Sequence, residues 1–254
     1  MYRDKRFRIK SPEEIAADIA DAKRASPGVG RVFLCDGDAL ALPQVRLVQV
    51  LEAIRDGLPD VISVSTYANA KSVAGKTDTE LAVLRALNLK LFHMGLESGD
   101  DVTLSRMHKY GDPSLHVAQA LRIRAAKIRL FVTVLLGLGG RERAREHALA
   151  TARVLSAMNP HYVGALSLLL IPGTPLHEDF LRGEFCVPNA HELLLELRTL
   201  LERTQMRGIF YANHASNYLP IRARLPRDRG EAIAQVDAAL RGEVPLRPEW
   251  LRST

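Results

Sequence analysis

Leu91-Phe92-His93-Met94-Gly95-Leu96-Glu97, running straight into Ser98-Gly99-Asp100-Asp101, decides the fold. Side chains alternate faces along a strand. One face therefore carries Leu91, His93, Gly95 and Glu97, and the other carries Phe92, Met94 and Leu96. The second face is apolar and suits a layer of helices. The first becomes small and polar toward its C-terminal end. The stretch 61–69 repeats the pattern, with Val61, Ser63, Ser65, Tyr67 and Asn69 on one face and Ile62, Val64, Thr66 and Ala68 on the other. Thr133 and Ser167 add single polar positions further on. Such a face suits a lumen that holds a polar ligand, and favours a barrel over a sheet with helices on both sides.

Working outward, the same cadence recurs. Apolar strands at 32–35, 61–66, 90–96, 129–136, 162–170 and 208–211 each run into a loop of Gly, Asp, Glu, Asn or Pro. The early strands start about 30 residues apart, the size of one βα unit. Helix signatures lie between them. Ser11-Pro12-Glu13-Glu14 and Thr77-Asp78-Thr79-Glu80 are capping boxes, and Asp112-Pro113 and Asn189 open further helices. An Ala-rich helix covers 143–158, and another opens at 228–231. Strands alternating with helices mean parallel strands joined by crossovers. Six strands are too few for a closed eight-stranded barrel. The expectation is an α/β fold, a partial (βα)6 TIM-like barrel with parallel strands over residues 1–175. Residues 176–254 break the rhythm and read as a C-terminal helical extension packing on that core.

Composition bounds the rest. The chain has 254 residues, of which 47% are hydrophobic, enough for one large α/β domain or two small ones. No apolar run approaches the roughly 18 residues of a membrane span, and the charged start Met1-Tyr2-Arg3-Asp4-Lys5-Arg6 is no secretory signal. The expected location is the cytoplasm, with no membrane partner. The net charge of +6 leaves RNA open as a partner without selecting it, because Asp and Glu interleave most of the basic clusters. The 2 cysteines, Cys35 and Cys186, form no disulfide framework; Cys35 is expected in a strand and buried.

The loops carry the candidate chemistry. Asp36-Gly37-Asp38 offers two carboxylates and open backbone to an amine or metal, although Asp and Gly also make ordinary turns. Glu97 follows the polar face of its strand, where a carboxylate is a poor structural choice unless something pairs with it. It suits ribose hydroxyls or an ammonium group. Asp100 and Asp101 read as caps of a short helix. Gly137-Leu138-Gly139-Gly140 permits close backbone approach to a ligand but lacks the spacing of a dinucleotide or P-loop motif. Pro172-Gly173-Thr174-Pro175 is a rigid turn. His93, His161, His177 and His214 are not at metal-ligand spacing, and no serine-nucleophile elbow is present.

Taken in order, these loops resemble the radical S-adenosylmethionine (radical SAM) superfamily. The resemblance rests on Asp36-Gly37-Asp38 at the family's Gly-Gly-Glu position, on Gly95-Leu96-Glu97-Ser98-Gly99 with Leu104, Met107 and Lys109 behind it, on residues 137–140, and on Ile171-Pro172-Gly173-Thr174-Pro175-Leu176. It implies a partial (βα)6 barrel in which a 4Fe–4S cluster cleaves S-adenosylmethionine (SAM) reductively to a 5′-deoxyadenosyl radical. It also implies that Asp36, Gly37 and Asp38 meet the methionine amino group, and that Glu97 and Ser98 take the ribose or methionine end. Lys109 would pair with the carboxylate, while Gly139 and the backbone around Pro172 would line the adenine. Residues 213–220 look family-like without an assigned role.

One departure is decisive. The family's cluster loop is CxxxCxxC, and this chain has no such motif. Cys35 and Cys186 supply at most two ligands, so no metal-binding residues are assigned. The start of this chain resembles the segment just past the cluster loop in relatives. The expectation is an N-terminally truncated member, its first strand also missing, inactive as it stands and with unknown substrate. In an active form the cofactors would be SAM and the 4Fe–4S cluster, with a reductant such as flavodoxin or ferredoxin. Two alternatives stand beside it. One is a non-catalytic SAM- or nucleotide-binding relative or scaffold. The other is a cluster-free barrel lyase using Glu97 as base with His93 nearby.

Overall fold

Alternating apolar stripes and capped amphipathic helices build the architecture of the computed structural model, which describes residues 8–35, 37–107 and 112–253. The strands are β1 (Arg31–Leu34), β2 (Ser63–Ala68), β3 (Leu89–Glu97), β4 (Arg129–Leu136), β5 (Tyr162–Ser167), β6 (Gly208–Tyr211) and β7 (Arg222–Leu225). The helices are α1 (Pro12–Ala25), α2 (Gln44–Gly57), α3 (Ala70–Ala74), α4 (Asp78–Ala86), α5 (Asp101–Arg106), α6 (Pro113–Ala125), α7 (Ala144–Met158), α8 (Pro175–Leu181), α9 (Ala190–Arg203) and α10 (Arg229–Leu240). One sheet takes all seven strands in chain order, β1 to β7. Each βα unit thus adds beside the last, as in a TIM-like barrel. A doubly wound sheet would reverse direction at a switch point. The fold is α/β with a mostly parallel sheet of the partial-barrel type. Only the β6–β7 pair is antiparallel among the pairings described.

The chain packs as two compact units, Met1–Met94 with Leu121–Leu130, and Gly95–Ala120 with Phe131–Thr254. In the first, Leu47, Leu51 and Ile54 of α2 and Leu81 and Leu84 of α4 are buried with Val64 and Phe92 of the strands. Helix α1 begins with a complete capping box at Ser11 and Glu14 yet buries no residue fully. In the second unit α9 contributes Leu193, Leu194, Leu197, Leu200 and Leu201, and α7 contributes Ala148, Ala152 and Leu155.

The face reading holds for β3 and for residues 63–68, but Val61 is buried and Ile62 exposed, the reverse of the expectation, because β2 begins only at Ser63, and Ser167 shares the buried side of β5 with Val163 and Ala165. Phe92, Met94 and Leu96 are buried, while Leu91, His93 and Glu97 are half-buried and Gly95 is exposed. In β2, Val64, Thr66 and Ala68 are buried and Tyr67 is exposed. Three further differences emerge. Helix α2 stands where no helix was expected, although Leu47, Leu51 and Ile54 fall at helical spacing. Strand β7 stands inside a segment expected to be helical, with Ala223 and Leu225 buried and Arg222 and Arg224 exposed. Cys35 is exposed rather than buried, because β1 ends at Leu34.

Candidate functional site

The Glu97 turn has an unusual backbone. Glu97 has φ +63°, and the Ser98 N–H donates back to the Leu96 carbonyl at 2.7 Å. A two-residue closure around a positive-φ centre is the rare, strained form of the γ-turn. For a residue with a Cβ this conformation costs about 1–2 kcal/mol. It persists only where the surroundings over-determine it, and such strain collects at functional sites. Gly95 leaves room for the result. A Cβ built there would lie 3.1 Å from Glu97 Oε1, so the carboxylate folds back over the bare glycine on the half-buried face.

Three consecutive residues after Glu97 are each fastened to α7 or the residue that opens it. The Ser98 hydroxyl lies 2.7 Å from His147 Nδ1 and accepts the Asp100 N–H at 2.9 Å. The Gly99 N–H donates to Thr151 Oγ1 at 2.9 Å. Arg143 donates two bonds to the Asp100 carboxylate, at 3.1 and 3.0 Å. Burial pushes the Asp100 carboxyl up, but the bonds from Arg143 and Thr103 outweigh it and hold it below the usual carboxylate range. Asp100 also caps α5, accepting from the Thr103 N–H. Gly99 is required by this approach, since a Cβ would stand 2.6 Å from the Ala150 carbonyl oxygen. Ser98 is wholly buried, so its hydroxyl faces the interior.

The 137–140 turn meets the same helix. A Cβ on Gly139 would lie 2.9 Å from the His147 Cβ, so Gly139 lets the turn rest on α7. The Gly137 N–H donates to the buried Glu196 carboxylate, and Glu196 Oε1 lies 3.1 Å from His147 Nε2. Leu138 packs with Leu168 and Phe185, and Met107 and Leu176 join that cluster. The cluster thereby gathers the 137–140 turn and the segments flanking the Pro172 turn. Pro172 itself is exposed, and Thr174 caps α8 behind it. Residues 213–220 are stitched down: Asn217 bonds the Ala165 carbonyl and the Ser167 hydroxyl, and Arg247 donates to the His214, Ala215 and Asn217 carbonyls.

In the first unit, Asp38 has both carboxylate oxygens engaged. One accepts the Leu40 N–H at 3.0 Å and the other the Asn69 side-chain amide at 2.5 Å. The loops after β1 and β2 are therefore tied together. Gly37 and Asp38 are among the residues lining a cavity of about 660 Å³, with Ile15 and Ile19 of α1, Val32 and Leu34 of β1, and Leu47 and Ile54 of α2. His93 sits among rings, 5.1 Å from Phe33 and 6.2 Å from Tyr67, and burial lowers its pKa. Asp36 and Lys109 lie outside the described residues. Sequence reasoning missed Arg143, His147, Thr151 and Glu196. The alternation did carry a signal for part of this, since one step beyond buried Leu96 puts residue 98 on the buried side.

A partial βα barrel with an acidic, glycine-bearing turn at the C-terminal end of a central strand defines a class of proteins that bind at the strand ends. Within that class the chain belongs to the radical SAM superfamily, whose family model matches residues 2–152. Solved structures agree on the fold. Elp3 from the archaeon Methanocaldococcus infernus, with an N-terminal deletion, is 12% identical with a TM-score of 0.57, covering 92% of this chain and 59% of that one. Methylornithine synthase (PylB) is 16% identical with a TM-score of 0.56, covering 91% and 61%. The radical SAM enzyme coproporphyrinogen III oxidase (HemN) from Escherichia coli is 13% identical with a TM-score of 0.55, covering 77% and 47%. The chain thus spans about three fifths of the first two structures and under half of the third. No curated protein sequence matches it.

Proposed function

We propose that this chain is the SAM-cradling part of a radical SAM enzyme and carries out no radical chemistry by itself. The observation that carries the reading is the strained Glu97 turn, held at the C-terminal end of β3 with its carboxylate over Gly95. A carboxylate there accepts well from a ribose diol or an ammonium group, which SAM supplies when bound. In this reading Glu97 takes the ribose or methionine end, with Ser98 supporting it from behind. Gly139 and the Pro172 backbone border the adenine. For Asp36, Gly37 and Asp38 at the methionine amino group, and for Lys109 at the carboxylate, the support is the family resemblance alone.

The residues present do not fit an iron–sulfur cluster. Among the described residues no group of three or more His, Cys, Asp or Glu could hold a metal ion. The chain's 2 cysteines fall short of three thiolates. A reductant such as flavodoxin or ferredoxin enters only with the cluster, and so belongs with a polypeptide that supplies those thiolates. Among the described residues no helix is long and apolar enough to cross a membrane; a cytoplasmic location is part of the proposal and rests on the family resemblance.

Titration of S-adenosylhomocysteine into the chain tests the reading, alongside anaerobic iron–sulfide reconstitution. Weak binding that Glu97→Gln removes is expected, with no cluster absorbance. A 4Fe–4S absorption band from the chain itself, or binding indifferent to Glu97→Gln, overturns it.

A further inference from the structure

The Glu97 turn and the 137–140 turn end on one buried hydrogen-bond chain. It begins at the Asp100 N–H, which donates to Ser98 Oγ, and Ser98 Oγ meets His147 Nδ1 at 2.7 Å. On the other side of the ring, His147 Nε2 faces two acceptors, the Leu135 carbonyl at 3.2 Å and Glu196 Oε1 at 3.1 Å. Both Glu196 oxygens lie 3.1 Å from the Gly137 nitrogen. With acceptors on its Nε2 side, the ring carries its proton there, and Nδ1 accepts from the Ser98 hydroxyl. Every polar group in the chain then has a partner. The side chains of His147 and Glu196 are 1% and 0% exposed, so neither is available to a ligand.

We propose that His147 and Glu196 are positioning residues: through them a single buried chain holds the strained Glu97 turn and the 137–140 turn in a common register for an adenosine-bearing ligand. The ligand clause rests on the SAM-cradling reading; the coupling of the two turns does not. A γ-turn centred on Glu97 relaxes unless its neighbours are pinned. Ser98 is pinned by the same imidazole whose other nitrogen faces the acid that anchors Gly137. Gly99 and Gly139, each too close to α7 for a Cβ, keep the geometry tight on both sides. Loss of the ring's two hydrogen-bonding edges should therefore loosen both turns at once, although residues 98 and 137 are far apart in sequence.

The test compares His147→Phe, His147→Gln and a control, Leu155→Ala, which opens a cavity under the same helix away from the chain. Phe fills the space without bonds; the Gln amide replaces one donor and one acceptor. Hydrogen exchange followed by mass spectrometry should show protection in segments 95–100 and 135–141 falling about tenfold in His147→Phe, as for one lost buried hydrogen bond. It should be largely restored in His147→Gln and unchanged relative to the rest of the unit in Leu155→Ala. S-adenosylhomocysteine affinity should follow the same order. A His147→Phe profile indistinguishable from Leu155→Ala, or loosening of one segment only, overturns the proposal. If the parent chain shows no S-adenosylhomocysteine binding, the SAM reading fails while the exchange arm still decides the coupling.

Discussion

At the scale of single residues, strain and close approach make opposite predictions for neighbouring positions. Glu97→Gly removes the Cβ from a positive-φ site and should leave the protein at least as stable as the parent, while Glu97→Val should cost about 1–2 kcal/mol more, because a β-branched residue resists that conformation. Urea denaturation measures both. Gly99→Ala should destabilise by about 1–3 kcal/mol, since its Cβ would meet the Ala150 carbonyl backbone, which cannot step aside. Asp100 gives a pH signature. Its folded-state pKa lies below the ordinary carboxylate value, so its contribution is fully present above about pH 4 and is lost as pH falls through the folded value. Arg143→Ala should therefore lower the denaturation midpoint at pH 7 and shift it less as the pH falls below about 4; a shift that does not change with pH would contradict the pairing.

At the scale of elements, β1 ends the sheet order and α1 buries no residue fully, although Ile15 and Ile19 face the cavity beside β1. Backbone amides of α1 and β1 should therefore exchange faster than those of α7 and β4, which lie in the buried interior; equal protection would contradict this. The elements were mostly legible in the sequence because period-2 and period-3.6 patterns reflect burial directly. Strand β4 spans the expected residues, and the expected strands at β2 and β3 differ from the observed ones by at most a few residues at their ends. Strand β7 was obscured because its exposed positions are Arg222 and Arg224, which read as a basic cluster rather than as the outer half of an alternating strand. Helix α2 opens at Pro43 without a side-chain cap, so the start signal that marked α1, α4 and α9 is missing, though its Leu47, Leu51 and Ile54 spacing was there to read.

At the scale of the whole molecule, neither compact unit is a continuous stretch of chain. The path passes between them within β3, within α6 and within β4. Residues 1–94 made alone would lack Ile123, Ile128 and Leu130, all fully buried. That fragment should show little stable structure by circular dichroism, whereas a cooperative melt from it would contradict the division. The rim of the candidate site was legible because turn-forming residues announce themselves locally. Its supporting layer was not, because Ser98, His147 and Glu196 meet only after α7 and α9 dock, and no local pattern records a contact across such separations. The two thiols have a practical use. Cys35 lies in the first unit and Cys186 in the second, and both are exposed. Glu142 holds the Cys186 thiol above its ordinary pKa, so alkylation there should quicken as the solution is made alkaline. A natural pair of attachment points, one per unit, lets a spin label or fluorophore report on each unit with no cysteine introduced or removed.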